Sequence, residues 1–390
     1  MDGTNLTDIE CFTSTQMNII FNSRLFWREL IYWSRGLFNS VFFNIGDSEA
    51  VFARLFATTP EYAQTLGLIL NRQIVEKFRS VFNLYTVILQ GLLSAVFSGD
   101  ENQVNEQVSR LYKNSEERAE VLSQIFPSID KATIEGMFNT LTALEIEEIN
   151  ANIRQDFEGI IDIYDNLIMV SENIADYISQ GIINLITAAP LLENTTEEDL
   201  LQELCVDHDT LEIILDISMF WIDLVAWART YRISIMADRP NQKELLERVM
   251  KVITDYGDAL KNFLDDEIVD EHVELMQEYI RLMDRLMDAR LEGNIDEMNH
   301  VYQLTIDNID ERAIFLSAIF PSISLTQWRN QLIKLHTSLI DMATQFLTGD
   351  YKQSIVVFDG LIDQAEDMGS FFIEGLLRFL IGSDNPVTSV

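Results

Sequence analysis

Cysteine, proline and basic residues are all scarce in this chain. Its 390 residues include two cysteines, Cys11 and Cys205, and six prolines. Two thiols are too few for a disulfide framework, and they lie in different surroundings, which points to a reducing interior. The stretch from Met1 to Ser23 has no basic start followed by an apolar core. A secretory signal is therefore not expected, and a cytoplasmic location is. Only 27 Lys and Arg face 63 Asp and Glu, for a formal net charge of -36. A field of that sign opposes attachment to phosphate backbones and anionic lipid surfaces, so nucleic acid is not an expected partner. Ser-His-Asp arrangements, CxxC pairs, Walker loops and GxGxxG turns are all missing, so neither a catalytic residue nor a cofactor is indicated.

With 47% apolar residues, the composition is that of an ordinary folded chain. Its length suits two domains. One segment, Ser80 to Gly99, carries no charge and is long enough to cross a bilayer. Asn83, Gln90 and several hydroxyls weaken that reading. The related stretch Glu274 to Gly293 is plainly amphipathic, so an unusually apolar buried helix is expected and a membrane span is not.

That relation is part of a larger pattern. Shifting the sequence by 194 positions aligns its two halves without a gap. Phe26, Trp27, Leu30, Trp33 and Arg35 recur as Phe220, Trp221, Leu224, Trp227 and Arg229. NSEERAEVLSQIFPSI, from Asn114 to Ile129, matches NIDERAIFLSAIFPSI, from Asn308 to Ile323, at eleven of sixteen positions. The same shift pairs Arg54 with Arg248, Tyr62 with Tyr256, Asp165 with Asp359, Glu172 with Glu366 and Gly181 with Gly375. A single register of this length indicates two copies of one domain and not a short-repeat solenoid.

Each copy reads as helical throughout. Apolar residues recur at helical spacing, as in Phe26, Leu30, Trp33 and Leu37, and strand alternation is not evident. Gln103, Glu297 and Gln327 stand at capping-box positions, and Pro127-Ser128 and Pro321-Ser322 mark turns. The expected helices of the first copy are 17–44, 47–57, 61–98, 101–125, 130–154 and 157–187. The fold class is thus all-α, as two tandem up-and-down helical bundles. The first copy is expected over 1–189, an acidic linker over 190–213, and the second copy over 214–390.

Polar residues kept in both copies are the candidate site. Arg35 and Arg229 stand on the first helix of each copy. Asp165, Glu172, Asp359 and Glu366 stand on the last. A buried arginine–carboxylate pair between those helices would satisfy both charges. The alternative is an anion pocket built on Arg35, Arg54, Arg229 and Arg248. Asn114, Glu117 and Arg118, with Asn308, Glu311 and Arg312, form an NxxER group expected to fix one bundle end by inter-helix hydrogen bonds.

Histidines give no metal site. His272, His300 and His336 fall on three successive helices at heights of about 30, 8 and 18 Å from a common turn, at 1.5 Å per residue. Zinc ligands must instead converge on one ion. Glu297 and His300 have the Glu-x-x-His spacing of di-iron bundles, but only once, and Gln103 replaces the glutamate in the other copy.

At the WSR, RL, NxxERA and LSxIFPS segments, and at Gly349, Asp350, Tyr351, Phe358 and Asp359, the sequence resembles a family of small all-helical proteins from endospore-forming Gram-positive bacteria. Its members usually carry one copy and are often labelled acetylglutamate kinase. Nothing in this chain resembles the α/β fold that such a kinase needs. The family pattern has an EH pair and a further histidine where this chain holds Tyr85 and Tyr279, then Leu141 and Leu335. The resemblance thus implies that any histidine-based binding function has been lost here.

Residues 1–195 hold 26 acidic and 12 basic residues, and residues 196–390 hold 37 and 15. Where the second copy carries Glu274, Glu278, Arg281 and Asp284, the first has Ser80, Leu84, Val87 and Gln90. An uncharged helix face of that size needs a cover. The expected function is non-enzymatic association, with the protein itself or another protein as partner. The alternative is a bundle that binds a small anion or metal.

Overall fold

The computed structural model describes residues 6, 9, 11–188 and 206–382. Among the described residues the protein is all-helical, with twelve α-helices. The one β-type contact is an isolated antiparallel bridge, in which the Phe12 N–H donates to the Val206 carbonyl at 2.8 Å. The chain divides into two compact units between Leu211 and Glu212.

In the first unit the helices are α1 (Ser14–Phe43), α2 (Ser48–Leu66), α3 (Arg72–Ser98), α4 (Glu101–Ile125), α5 (Lys131–Arg154) and α6 (Phe157–Ala188). Short polar side chains start most of them. Thr13 forms a capping box with Gln16, while Asp47, Asn71, Asp100 and Asp130 each accept the backbone N–H three residues on. Consecutive helices pack on each other, and α6 returns to α1. Ion pairs Arg24–Asp176 and Arg28–Glu172 fix α1 and α6 antiparallel. The core between them is aromatic. Phe26 stacks on Tyr62 at 4.3 Å and Phe78 on Phe82 at 4.2 Å, while Trp27 lies against Phe82 and Phe138. Burying each such ring contributes about 2–3 kcal/mol, which outweighs any surface pair in the unit.

The second unit is built from α7 (His208–Met236), α8 (Gln242–Leu260), α9 (Asp266–Leu291), α10 (Ile295–Ile319), α11 (Leu325–Leu347) and α12 (Tyr351–Gly382). The first residues of α7 belong to the preceding unit. Here Phe220 stacks on Tyr256 at 3.8 Å, and Phe372 of α12 meets Trp221, Phe320 and Trp328. Ser324 and Gln327 form the capping box that their spacing implies.

One glycine pair explains the Ile-Phe-Pro-Ser-Ile turn. A Cβ on Gly181 would lie 2.8 Å from Ile129 and 3.0 Å from Phe126, and one on Gly375 would lie 3.0 Å from Ile323 and 3.3 Å from Phe320. Each turn presses its Phe and Ile against the last helix of its unit at a glycine, where an added Cβ would crowd the Ile and Phe side chains.

Two expectations need correction. The break placed before residue 61 is absent, because α2 runs through Pro60 to Leu66. Proline removes the hydrogen bond to the Phe56 carbonyl, but Phe56 is 37% exposed, so water can solvate that carbonyl. The chain breaks instead at Gly67, and Asn71 caps α3 by accepting the Ile74 N–H. Of the linker expected over 190–213, residues 190–205 lie outside the described residues, and α7 begins at His208. Finally, Cys11 is disulfide-bonded, so the cysteine argument for a reducing interior fails. Low cysteine count excludes a framework of bridges, but it does not exclude a single one.

Candidate functional site

In the first unit α1 and α6 are joined by ion pairs of Arg24 and Arg28. Arg24 donates from Nε and Nη2 to the two oxygens of Asp176, both at 2.8 Å, and Arg28 pairs with Glu172. Arg35 stacks over the Tyr164 ring at 4.4 Å. Its charge also acts on Glu148 of α5. Arg54 faces another way. It lies over Trp33, donates to Thr58 at 3.0 Å, and pairs with Glu29 and Glu61. In the second unit Arg229 lies over Phe358 at 4.7 Å and Arg248 over Trp227 at 5.0 Å. Glu366 is half-buried beside Asp363 and Asp367, and burial raises its pKa. The positions matching Arg24 and Arg28 hold Ser218 and Ile222, so this face of α7 lacks that pair of arginines.

The NxxER group has a direct structural account. Asn114 donates from its amide to the Val81 carbonyl of α3 at 3.0 Å, and Asn308 does the same to Leu275 of α9 at 3.1 Å. The arginines go inward. Arg118 is completely buried and lies over the Phe138 ring at 4.2 Å and the Tyr85 ring at 4.5 Å. Glu117 stays on the surface and pairs with Lys113 of its own helix instead of a neighbouring one. Glu297 donates its backbone N–H to the Asn294 cap at 3.2 Å, but its carboxylate accepts from Arg285 instead of closing a capping box.

Around each buried arginine is a polar cluster. In the first unit the Tyr85 hydroxyl donates to Glu145, and Ser115 meets Thr142 at 3.3 Å. Burial pushes the Glu145 carboxyl up to about 8 and Glu148 up to about 7, while burial lowers Arg118 to about 10. Glu145 is therefore mostly protonated at neutral pH, a carboxylic acid set beside a cation that rests on aromatic faces. In the second unit Arg312 lies 5.3 Å from the Tyr279 ring, and Tyr279 shares a hydrogen bond of 3.1 Å with Nδ1 of His336. Desolvation lowers His336 to about 4 and His272 to about 3. Both imidazoles are neutral at pH 7.

The three histidines do not converge. His272 is sandwiched among Tyr256, Phe315 and Phe372, His336 touches Tyr279 and Tyr302, and His300 is exposed. Among the described residues no group of three or more His, Cys, Asp or Glu side chains is placed to hold a metal ion. Tyr85, Glu145 and Arg118 are sealed in the core, at 1% exposure or less, so they specify packing and offer no face to a substrate. Arg118 was marked out in the sequence only by its repetition as Arg312, which did not tell that it faces inward. Glu145 and Glu148 had no such signal, because Leu339 and Met342 replace them in the second unit.

One surface stands apart from these cores. On α3 the outward stripe Ser80, Leu84, Val87 and Ser94 carries no charge, and Phe97 extends it. Leu84 is 37% exposed, Val87 43% and Phe97 61%. By length and composition α3 is also the single described helix apolar enough to cross a membrane. In comparisons with protein-family models, curated proteins and solved structures, nothing matches this chain.

Proposed function

We propose that the chain encodes one all-helical packing unit twice and works by associating with a second copy of itself, without catalysing a reaction. Support for the duplication comes from helix bounds that repeat at the 194-residue shift. Ser48–Leu66 answers to Gln242–Leu260, Glu101–Ile125 to Ile295–Ile319, and Phe157–Ala188 to Tyr351–Gly382. Side chains are reused in the same way: Asn114 and Asn308 on the preceding helix, Arg54 and Arg248 over Trp33 and Trp227, Gly181 and Gly375 under the turn. The up-and-down bundle and the kinship with the endospore-former family belong to the same reading.

The observation that carries association is the uncharged outer stripe of α3. Leu84 and Val87 follow Ser80 at four and seven residues and Ser94 at fourteen, which is the spacing of a helix–helix seam. A second copy is the partner of choice on electrostatic grounds. Two identical stripes meet without burying a carboxylate, in a chain whose net charge of -36 makes most other self-contacts repulsive.

Light scattering of the full chain at low micromolar concentration should give a dimer. The double variant Leu84→Glu, Val87→Glu should give a monomer of unchanged helicity. A wild-type monomer at that concentration overturns the proposal. So does co-sedimentation of the chain with mixed zwitterionic and anionic vesicles in place of self-association. Of the four arginines of the alternative anion pocket, Arg54 is engaged by the carboxylates of Glu29 and Glu61.

A further inference from the structure

A pocket of about 450 Å³ opens in the second unit among α7, α9, α10 and α11, within the size range of small-molecule sites. Its walls are mostly apolar, with Met283, Met287 and Met298 among them. Methionine side chains adapt to ligands of varied shape. Asn299 and Tyr302, both exposed, mark its mouth on α10.

Arg232 also lines this pocket. It is 4% exposed, and its Nη1 has no hydrogen-bond partner. Leaving a charged donor buried and unpaired is costly, and an acceptor in the pocket would relieve that cost. Other groups share the field at Arg232. Asp284 acts on it at a distance, yet one Asp284 oxygen is already taken by the Tyr231 hydroxyl at 2.6 Å. His336 and Tyr279 are neutral neighbours. Arg290 adds a second guanidinium to the lining, with Nη1 donating to Thr344 at 2.9 Å.

We infer that this pocket binds an organic monoanion, a carboxylate on an apolar body, with the head on Arg232 and the body among the methionines. A single charge suits the setting better than a dianion, because residues 196–390 hold 37 acidic residues against 15 basic ones. The first unit supplies an internal control. At the positions 194 residues earlier, Phe38, Val96 and Val108 replace Arg232, Arg290 and Tyr302. Phe38 is fully buried, so the space and the charge are both gone there. One ligand per chain is therefore expected, whatever the state of association.

Decanoate serves as the probe, titrated calorimetrically into the full chain below its micellar range. Saturable binding at one site per chain is expected, with decanol and inorganic phosphate each weaker by about tenfold or more, the scale of one charge-assisted hydrogen bond or of the lost apolar contacts. Arg232→Met should weaken decanoate by a similar factor. Met298→Trp, which leaves Arg232 in place and fills the pocket, should abolish binding while the circular dichroism spectrum stays unchanged. Non-saturable uptake, equal binding of decanol, equal binding of phosphate, or undiminished affinity in either variant overturns the inference. Dimerisation by light scattering is read separately, so failure here leaves the association proposal standing.

Discussion

Replacing His272 by phenylalanine should stabilise the protein, and increasingly so as the pH falls. The His272 ring is 2% exposed, and neither ring nitrogen has a hydrogen-bond partner. It is stacked on Phe315 with centroids 5.9 Å apart and meets Tyr256 edge-on at the same distance. Leaving such a polar group buried and unpaired costs about 1–3 kcal/mol. Phenylalanine keeps the ring contacts, and position 78, which matches 272 at the 194-residue shift, holds the fully buried Phe78. A gain of about 1 kcal/mol at pH 7.5 is expected once some crowding by the larger ring is allowed for. The pH dependence is the sharper test. Burial lowers the His272 pKa to about 3, from an unfolded value of 6.5. The unfolded chain therefore takes up a proton below pH 6.5 that the folded chain refuses, and stability is lost as the pH falls toward 3. At pH 4.5 that loss is on the order of 2–3 kcal/mol, and the variant should be free of it. Urea unfolding of both proteins at pH 7.5 and 4.5, followed by circular dichroism, reads the difference directly. A variant that is destabilised at pH 7.5, or whose advantage does not grow at pH 4.5, refutes the reasoning.

The opposite slope is expected for Glu145, whose folded pKa is raised to about 8 by burial. Its favourable contribution is fully present below the unfolded carboxyl value and is lost as the pH rises toward 8, so Glu145→Gln should flatten the alkaline limb of the stability profile. Ser23→Ala should cost about 1–2 kcal/mol in chemical unfolding, because the buried Tyr62 hydroxyl loses its 2.8 Å partner. Arg24→Met should destabilise the first unit by about 1–3 kcal/mol, since it leaves a largely covered Asp176 without its two-pronged partner. Reduction with dithiothreitol should lower stability by about 2–4 kcal/mol by opening the Cys11 disulfide, and thiol titration of the unreduced, denatured chain should find no free Cys11.

The helical class was legible because proline is rare and apolar residues recur at helical spacing from Phe26 through Leu37. The turn at Pro127 and the capping box at Ser324 were legible for the same local reasons. Pro60 misled because a proline can be carried within a helix when the carbonyl it orphans faces water. No periodicity argument says which side of α2 does so. The disulfide at Cys11 was missed because cysteine counting speaks to frameworks and not to a single closure.

Within the candidate site, residues kept in both halves were the only guide, and they guided unevenly. Asn114, Arg118, Gly181 and their counterparts do the same packing work in each unit, so repetition marked them out. Arg24, Arg28, Glu145, Glu148 and Arg232 differ between the halves, and comparison within one chain is blind to such positions. The Arg24 and Arg28 ion pairs between α1 and α6, the raised carboxyls of Glu145 and Glu148 and the pocket arginine all come from that second group, whereas Glu366, also raised by burial, comes from the first. Ser218 and Ile222 stand where the first half has Arg24 and Arg28, and Phe38 stands where the second half has Arg232. The places where the two halves disagree are therefore the places where each has a property of its own.

An experimental crystal structure of the full chain tests the central claim most directly. Residues 14–188 superposed on residues 208–382 with a constant shift of 194 should coincide helix for helix, with Asn114 over Asn308, Arg118 over Arg312 and Gly181 over Gly375. Two halves whose helices follow different paths, or whose Asn114 and Asn308 reach unrelated partners, would contradict it.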